Sequence, residues 1–238
     1  MPLFLNEKKS VLFLHIPKTG GTTIENWLNS TNKFKTQLFF GRPLEDTKVT
    51  PQHFGYDTVS KLIGDFEELE IFKFAVVRDP YERLISEFFY RVKLGHLKLG
   101  RYPERFFACW VVDTLKNAKN NPHLLDNHIR PQSYFTSSDV SIYKFEDGFK
   151  EILHDVSQNI GVVPPETIDS HKVGTKRGVI WTNSAIEMVQ EHYELDFIKF
   201  SYSNEKTSKK RLNSLKDKVT FSYLMLRKSL SDYYWRNK

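Results

Sequence analysis

Residues 16–23 carry the side chains with the clearest chemical use in this sequence. They read Ile-Pro-Lys-Thr-Gly-Gly-Thr-Thr and follow an apolar run over 10–14 that is typical of a buried strand. The two glycines predict a tight turn, and the periodic apolar pattern after them predicts a helix. A strand, a glycine turn and a helix together direct several backbone N–H groups at one phosphate. The candidate phosphate ligands are Lys18, Thr19, Gly20, Gly21, Thr22 and Thr23.

This loop differs from the nucleotide-binding loop G-x-x-x-x-G-K-[ST] in the position of its lysine. The residue after Gly21 is Thr22, the lysine precedes the glycines, and Ile16 stands where that motif has its first glycine. A kinase needs a lysine after the second glycine and a carboxylate for Mg²⁺, and neither is evident. We therefore expect a phosphate site that does not hold Mg-ATP. An ATP-dependent nucleotide-binding protein or kinase is the alternative, and an ordinary strand-to-helix turn is the plainer one.

A second stretch, residues 77–90, places an arginine at the end of another apolar run. Asp79 is a good helix N-cap, and Ser86 lies seven residues after it on the same side of the predicted helix. The guanidinium of Arg78 and the Ser86 hydroxyl would form a second anion site. Arg78 could instead pair with Asp79 or Glu82, and Ser86 could be a small residue at a helix contact. Two anion sites at one sheet edge indicate a ligand with two phosphate-like groups.

The composition is typical of a single domain that has no internal disulfide. A chain of 238 residues with 39% hydrophobic residues can bury one substantial core. The net charge of +6 fits an anionic ligand, but 35 basic against 29 acidic residues do not by themselves indicate nucleic-acid binding. Cys109 is the only cysteine, which excludes an internal disulfide, and it is expected to be buried. No signal peptide or transmembrane segment is recognisable, so a soluble cytoplasmic protein is expected.

Apolar runs alternate with helical patterns along the chain, which is typical of an α/β fold with a parallel sheet. Strands are predicted at residues 10–14, 37–40, 71–77 and 141–145, and helices at about 22–28, 58–63, 81–92, 104–118, 147–159, 183–195 and 217–236. Residues 123–137 are expected to be irregular and 164–182 to form a loop. Ligands of such sheets bind beyond the carboxyl ends of the strands, where both Lys18 and Arg78 fall.

The loop and the arginine motif together resemble those of sulfotransferases, whose sulfo donor is 3′-phosphoadenosine 5′-phosphosulfate (PAPS). Residues 16–23 are similar to that family's 5′-phosphosulfate loop, and Arg78 with Ser86 is similar to its 3′-phosphate motif. The resemblance is to carbohydrate sulfotransferases, including 2-O-sulfotransferases of the uronyl and heparan type and their bacterial relatives. It extends over about residues 10–202 through three more segments: H-x-R-P-Q at 128–132, a strand and acidic residue at 142–146, and Y-x-x-D-F-x-x-F-x-Y at 193–202.

The resemblance implies a P-loop-like three-layer fold, with a central parallel sheet flanked by helices, and a reaction without a metal. The chain length predicts one sulfotransferase-like domain over residues 1–238, with a basic helical C-terminal extension at about 203–238 to which the resemblance does not extend. The acceptor would be a hydroxyl of a carbohydrate, and no nucleic-acid partner is expected. The sequence gives no indication of the oligomeric state. A binding protein that has lost catalysis is a third alternative, which would be expected to lack Lys18 or a usable base.

Catalytic residues follow from the chemistry of sulfo transfer. Charge builds on the oxygen that bridges phosphate and sulfur, so a cation there stabilises the transition state, and Lys18 fits that role. A sugar hydroxyl is a poor nucleophile and needs a base with a pKa near neutrality, which favours histidine. His53 is the candidate, because the resemblance places the catalytic histidine before the Arg78 strand. His128 is its rival.

Further residues are candidates for binding the substrate, for covering PAPS or for structural roles. The H-x-R-P-Q segment supplies the substrate-binding candidates His128, Arg130 and Gln132. The resemblance places a loop that covers PAPS at 171–178, so we expect a closure over the 3′-phosphate by Thr175, Lys176 and Arg177. His15 is expected to be structural or a wall of the phosphate site. Glu25 and Glu82 are expected to lie on helices that point away from it.

Overall fold

A five-stranded sheet forms the centre of the protein. The computed structural model describes residues 1–39, 41–64, 70–165, 178–206 and 215–236. The strands are β1 (Leu3–Leu5), β2 (Ser10–Leu14), β3 (Lys35–Gln37), β4 (Ile71–Val77) and β5 (Ser141–Lys144). They lie in the order β3-β1-β2-β4-β5. Strands β2, β4 and β5 are parallel, whereas β1 is antiparallel to both β2 and β3.

The prediction of a parallel sheet is confirmed for three strands and is wrong at the β1–β3 edge. Strands β1 and β2 are joined by residues 6–9, and a parallel pair would need a crossover of roughly a dozen residues. The strand predicted at 37–40 is also displaced. It ends at Gln37, because Leu38 takes a left-handed backbone conformation with φ of 56°.

The described part of the chain contains eight α-helices. They are α1 (Gly21–Ser30), α2 (Tyr56–Ile63), α3 (Pro80–Lys93), α4 (Phe107–Asn120), α5 (Phe149–Ile160), α6 (Asn183–His192), α7 (Glu194–Lys199) and α8 (Leu215–Arg236). The predicted cap of α3 is confirmed, since the Asp79 carboxylate accepts hydrogen bonds from the amides of Tyr81 (2.8 Å) and Glu82 (3.0 Å). The single helix predicted over 183–195 is two helices, separated at Tyr193.

Helices cover both faces of the sheet. On β2, Val11 and Phe13 pack with α1 and α5, whereas Leu12 and Leu14 pack on the opposite side with α2. This alternation is the period of two that a strand imposes on its side chains. A third apolar cluster joins α3, α4, α6, α7 and α8, and contains Cys109, which is buried as predicted.

The C-terminal helix packs on this third cluster. Phe221 of α8 is buried against Phe106, with ring centroids 6.3 Å apart, and Arg105 pairs with Asp217. None of the helices that the structure describes is long and apolar enough to cross a membrane. The loop predicted at 164–182 lies mostly outside the described residues.

Candidate active site

The loop after β2 has the geometry of an anion site. Lys18 has a φ of 70° and Gly20 a φ of 85°, after which α1 begins at Gly21. A Cβ on Gly20 would lie 2.2 Å from the Phe149 ring, and one on Gly21 would lie 2.5 Å from His15 Nε2. Both positions therefore require glycine. No side chain caps the start of α1 and its first turn has no acidic residue, which leaves the positive end of the helix dipole open to an anion.

Lys18 is part of this loop, and its side chain lies over an aromatic ring. Its ammonium lies 3.7 Å from the centroid of Tyr90. Partial burial lowers the pKa of Lys18 to about 8, and the Glu87 carboxylate opposes that shift. At neutral pH the side chain is still mostly charged. The site thus contains a cation with little surrounding water, which is the condition under which one charge stabilises another most effectively.

Arg78 reaches the same loop from the end of β4. Its backbone N–H and C=O are both bonded to the Gln132 side chain, each at 2.8 Å, and its guanidinium donates to the Lys18 carbonyl (3.3 Å) and lies 4.4 Å from the Phe145 ring. Burial lowers its pKa. Its Nε is buried and has no hydrogen-bond partner among the described residues. A buried, unpaired guanidinium N–H is costly without a ligand, so this donor is suited to an anion.

The alternative partners of Arg78 are used elsewhere. Asp79 caps α3, and Glu82 pairs with Lys206 at 3.4 Å. Glu82 is also near enough to Arg78 to oppose the effect of burial on the Arg78 pKa, so its expected orientation away from the loop stays a prediction. Ser86 is half-buried on α3; its role in a second anion site stays a prediction.

His53 pairs with a carboxylate that the sequence did not single out. His53 Nδ1 lies 2.8 Å from Asp126 Oδ2, and Thr50 donates to the same carboxylate through its amide and its hydroxyl, both at 2.7 Å. Burial lowers the pKa of His53 to about 4, against the opposing effect of Asp126. The hydrogen bonds from His53 and Thr50 outweigh burial and hold the pKa of Asp126 well below its usual range. His53 is therefore neutral near pH 7 and able to accept a proton.

Asp126 lies in an unusual turn. Leu125, Asp126 and Asn127 have φ values of 55°, 61° and 62°, three consecutive left-handed residues without a glycine. Such a conformation costs roughly 1–2 kcal/mol per residue. The turn also holds the backbone of His53, because the Asn127 amide donates to the His53 carbonyl at 2.9 Å. Strain of this kind persists where the surroundings determine the conformation, and it is common at functional sites.

His128 forms a second pair beside the first. Its Nδ1 lies 2.8 Å from Glu87, whose other oxygen accepts from Arg91 at 2.5 Å. Burial raises the pKa of Glu87, but the bonds from His128 and Arg91 outweigh it and lower this pKa to about 2. The rings of His53 and His128 meet edge to face with centroids 4.9 Å apart, and His128 stacks on Tyr90 at 5.9 Å. The two rival histidines are thus neighbours.

His15 makes a third pair, with Glu25. His15 Nδ1 lies 2.5 Å from the Glu25 carboxylate, which also accepts from Gln52 at 2.9 and 3.0 Å. The ring of His15 stands against Gly21, next to the loop; its role as a wall of a phosphate site stays a prediction. The prediction that Glu25 points away is wrong. Glu25 lies on the buried face of α1, toward the site.

The substrate-binding candidates have different surroundings. Gln132 is fully buried, and both ends of its amide bond to the Arg78 backbone, which they hold in place; its contact with substrate stays a prediction. Arg130 lies 4.3 Å from the Tyr134 ring, with a buried Nε that has no partner in the described part of the chain. Thr175, Lys176 and Arg177 lie outside the described residues.

Arg83 holds these segments together. This buried guanidinium donates to three backbone carbonyls, those of Pro17, His128 and Arg130, each at 2.9 Å. It therefore fixes the phosphate loop to the H-x-R-P-Q segment. From the other side, the buried Asp196 carboxylate accepts from the amides of Gln132 (2.7 Å) and Ser133 (2.8 Å).

A cavity of about 870 Å³ lies at the opposite end of the sheet, where its lining includes Lys8, Lys33 and Lys35. The residues described above do not line it. The candidate site is defined by its loop, its cations and its histidines.

Comparison with known proteins identifies the family. A family model described as the sulfotransferase family matches residues 1–203 of the 238. The chain therefore belongs to the sulfotransferase family, and sulfo-group transfer is its general activity. No curated protein and no solved structure matches the chain. No cluster of His, Cys, Asp and Glu within the described ranges is arranged to hold a metal ion.

Proposed function

We propose that the protein transfers a sulfo group from PAPS to a hydroxyl of a carbohydrate. The residues present fit this donor, which carries a phosphosulfate at one end and a 3′-phosphate at the other. Loop residues 18–23 supply backbone donors and the Lys18 ammonium for the first group. Arg78 and Ser86 supply donors for the second. The observation that carries the proposal is the buried, unpaired Nε of Arg78, in a guanidinium already bonded to the loop.

Three residues outside the described ranges complete this proposal. Thr175, Lys176 and Arg177 lie in the segment that resembles the family's cover over PAPS. Their hydroxyl and cationic groups are of the right type to bind the 3′-phosphate. No metal is part of the proposal, because the loop, Lys18 and Arg78 supply the positive charge.

The catalytic roles follow from where charge develops. When bound, PAPS supplies a sulfo group whose bond to the 5′-phosphate oxygen breaks as the acceptor oxygen bonds to sulfur, and the electron pair stays on the phosphate. Lys18 neutralises the negative charge on that phosphate oxygen. His53 accepts the acceptor's proton at Nε2, where no described residue forms a hydrogen bond. A pKa of about 4 keeps His53 neutral at pH 7, and it makes His53 a weaker base than the near-neutral pKa expected from the sequence.

The acceptor is proposed to bind along the H-x-R-P-Q segment. Arg130 offers its unpaired Nε to an acidic or hydroxyl-rich sugar, and the Tyr134 ring keeps the guanidinium in place. His128 lies beside His53, so its ring borders the position of the reacting hydroxyl. A carbohydrate, with several hydroxyls and frequent carboxylates, fits these donors.

Titration calorimetry tests the donor. The protein should bind 3′-phosphoadenosine 5′-phosphate without metal and far more tightly than ATP or ADP. Arg78→Ala should remove the preference for the 3′-phosphate, whereas Arg101→Ala, which changes an exposed arginine on the surface, should retain it. Equal or tighter binding of Mg-ATP would overturn the choice of donor. Incubation with radiolabelled PAPS and a panel of unsulfated polysaccharides, with simple phenols as the comparison, then tests the acceptor. Labelling of phenols alone would exclude the carbohydrate.

A further inference from the structure

The hydrogen bonds around Asp126 distinguish its two oxygens. Oδ1 accepts from the Thr50 backbone amide at 2.7 Å, and that donor cannot reverse its role. Oδ2 accepts from the Thr50 hydroxyl at 2.7 Å and lies 2.8 Å from His53 Nδ1. A carboxylate has no proton to donate, so His53 must carry its proton on Nδ1 toward Asp126. The lone pair is then on Nε2.

Two elements distant in sequence converge to maintain this arrangement. His53 and Thr50 belong to one turn, since the His53 amide bonds to the Thr50 carbonyl at 2.9 Å. Asp126 belongs to the strained left-handed turn, which also bonds to the His53 backbone through Asn127. The second turn therefore holds both the ring and the backbone of His53. A histidine that only fills space would not need both contacts.

We propose that Asp126 is a positioning residue that fixes His53 in the tautomer with the proton on Nδ1 and so keeps Nε2 free as the proton acceptor. This inference rests on the proposed function, in which Nε2 takes the acceptor proton. Asp126 itself does not touch the substrate. Its role resembles the general logic of a base oriented by a third group.

The variant Asp126→Asn replaces the hydrogen-bond acceptor beside His53 Nδ1 with a donor. The Thr50 amide keeps its need for an acceptor, so the asparagine oxygen takes the Oδ1 position and the NH₂ group takes the Oδ2 position. That NH₂ donates to His53 Nδ1, which drives the proton to Nε2 and removes the lone pair needed for catalysis. The substitution is nearly isosteric, and asparagine tolerates the left-handed backbone as well as aspartate does. Folding should therefore be retained.

The experiment combines nitrogen NMR of the labelled histidines with kinetics. In the wild type, the His53 signals should report a proton on Nδ1, and in Asp126→Asn a proton on Nε2. Hydrolysis of PAPS, with water as the acceptor, should slow by roughly 10²–10⁴, the range for a lost general base, while the dissociation constant of 3′-phosphoadenosine 5′-phosphate stays within about twofold. Asp139→Asn is the matched control. It changes an exposed carboxylate that bonds to Tyr56 and Lys73, and it should alter neither quantity.

A second variant distinguishes the effect of the His53 tautomer from the effect of losing one hydrogen bond to Asp126. Thr50→Val removes one hydroxyl bond to the Asp126 carboxylate but keeps the backbone amide, so the Nδ1 proton should remain and turnover should fall less than in Asp126→Asn. Wild-type turnover or an unchanged tautomer in Asp126→Asn would overturn the inference. If the wild type neither binds the 3′-phosphorylated nucleotide nor consumes PAPS, the proposed function fails, whereas the NMR result still decides the tautomer.

Discussion

Two histidine–carboxylate pairs lie side by side in this protein and have different surroundings. In each pair the Nδ1 atom lies 2.8 Å from a carboxylate oxygen, and the two rings are 4.9 Å apart. The Asp126 side chain is 31% exposed, and its partners among the described residues are the His53 ring and the uncharged Thr50. The Glu87 side chain is only 1% exposed, and it is shared between His128 and a guanidinium, Arg91. The same two residue types can therefore serve different purposes, depending on what else the carboxylate binds.

The pairs also connect to different parts of the site. His128 stacks on Tyr90, and the Tyr90 ring lies beneath the Lys18 ammonium. The His128–Glu87 pair thus belongs with the cation at the phosphate loop. His53 and Asp126 come from two turns, and the His53 ring reaches Tyr90 and Lys18 only through the His128 ring among the described contacts. We propose that the His53 pair serves the acceptor side, and that the His128 pair supports Lys18 and borders the bound acceptor.

The largest effect should separate the two histidines. His53→Ala removes the proposed base and should reduce sulfo transfer by roughly 10²–10⁴, while donor binding is retained. His128→Ala should mainly raise the KM for the acceptor. Both variants are measured with one acceptor and with calorimetry of the product nucleotide. If His53→Ala stays active and His128→Ala does not, the two roles are reversed.

Sequence patterns anticipated the donor side better than the acceptor side. The strand at 10–14, the glycine turn and the Asp79 cap are local features, since each depends on residues within one or two turns of chain. The antiparallel β1 was missed, because a three-residue strand is too short for a periodic pattern. Its pairing also depends on the hairpin with β2.

The carboxylate partners of the histidines could be identified only from the folded structure. Asp126 is 73 residues from His53 and lies in a left-handed turn without glycine, so nothing local marks it. Glu25 had a weak signal that was overlooked. It lies four residues after Gly21 and three before Leu28, on the helix face that the apolar residues define. The resemblance marks Gln132 as a site residue, but only the structure shows that its amide holds the Arg78 backbone.

Lys18→Ala should have the second largest effect. If the ammonium neutralises the departing phosphate oxygen, turnover should fall by roughly 10²–10³, the scale of one preorganised electrostatic contact. The affinity for 3′-phosphoadenosine 5′-phosphate should fall much less. Lys98→Ala, at an exposed position, is the control and should match the wild type. Near-normal turnover in Lys18→Ala would show that the lysine is only a phosphate tether.

Arg83→Met tests how the His128 side is held in place. The change leaves three carbonyls without their donor, among them that of His128. We expect a loss of about 2–4 kcal/mol in the free energy of unfolding by urea, because unsatisfied buried polar groups cost about 1–3 kcal/mol each and water can replace part of the loss. Arg105→Met removes a half-exposed pair with Asp217 and should cost about 1 kcal/mol or less. Equal losses in the two variants would contradict the role of Arg83.

The smallest expected effect concerns the pH dependence of kcat/KM, which should have an acidic limb and an alkaline limb. His53, which faces Asp126, His15 and His128, must be neutral, so kcat/KM for PAPS should rise as pH increases through about 4. Lys18, which faces Glu87, Arg78, Arg91 and Lys93, must be charged, so kcat/KM should fall as pH rises through about 8.

Replacing Glu87 should move only the second limb. Glu87 raises the pKa of Lys18, so Glu87→Gln should shift the alkaline limb to lower pH by about one unit or less, the scale on which neighbouring charges act. The acidic limb should remain in place, because it reports on His53 and its separate partner Asp126. Glu191→Gln, which changes an exposed carboxylate paired with Lys119, is the control. If the acidic limb moves instead, Glu87 acts on the base, and the division between the two histidine–carboxylate pairs is wrong.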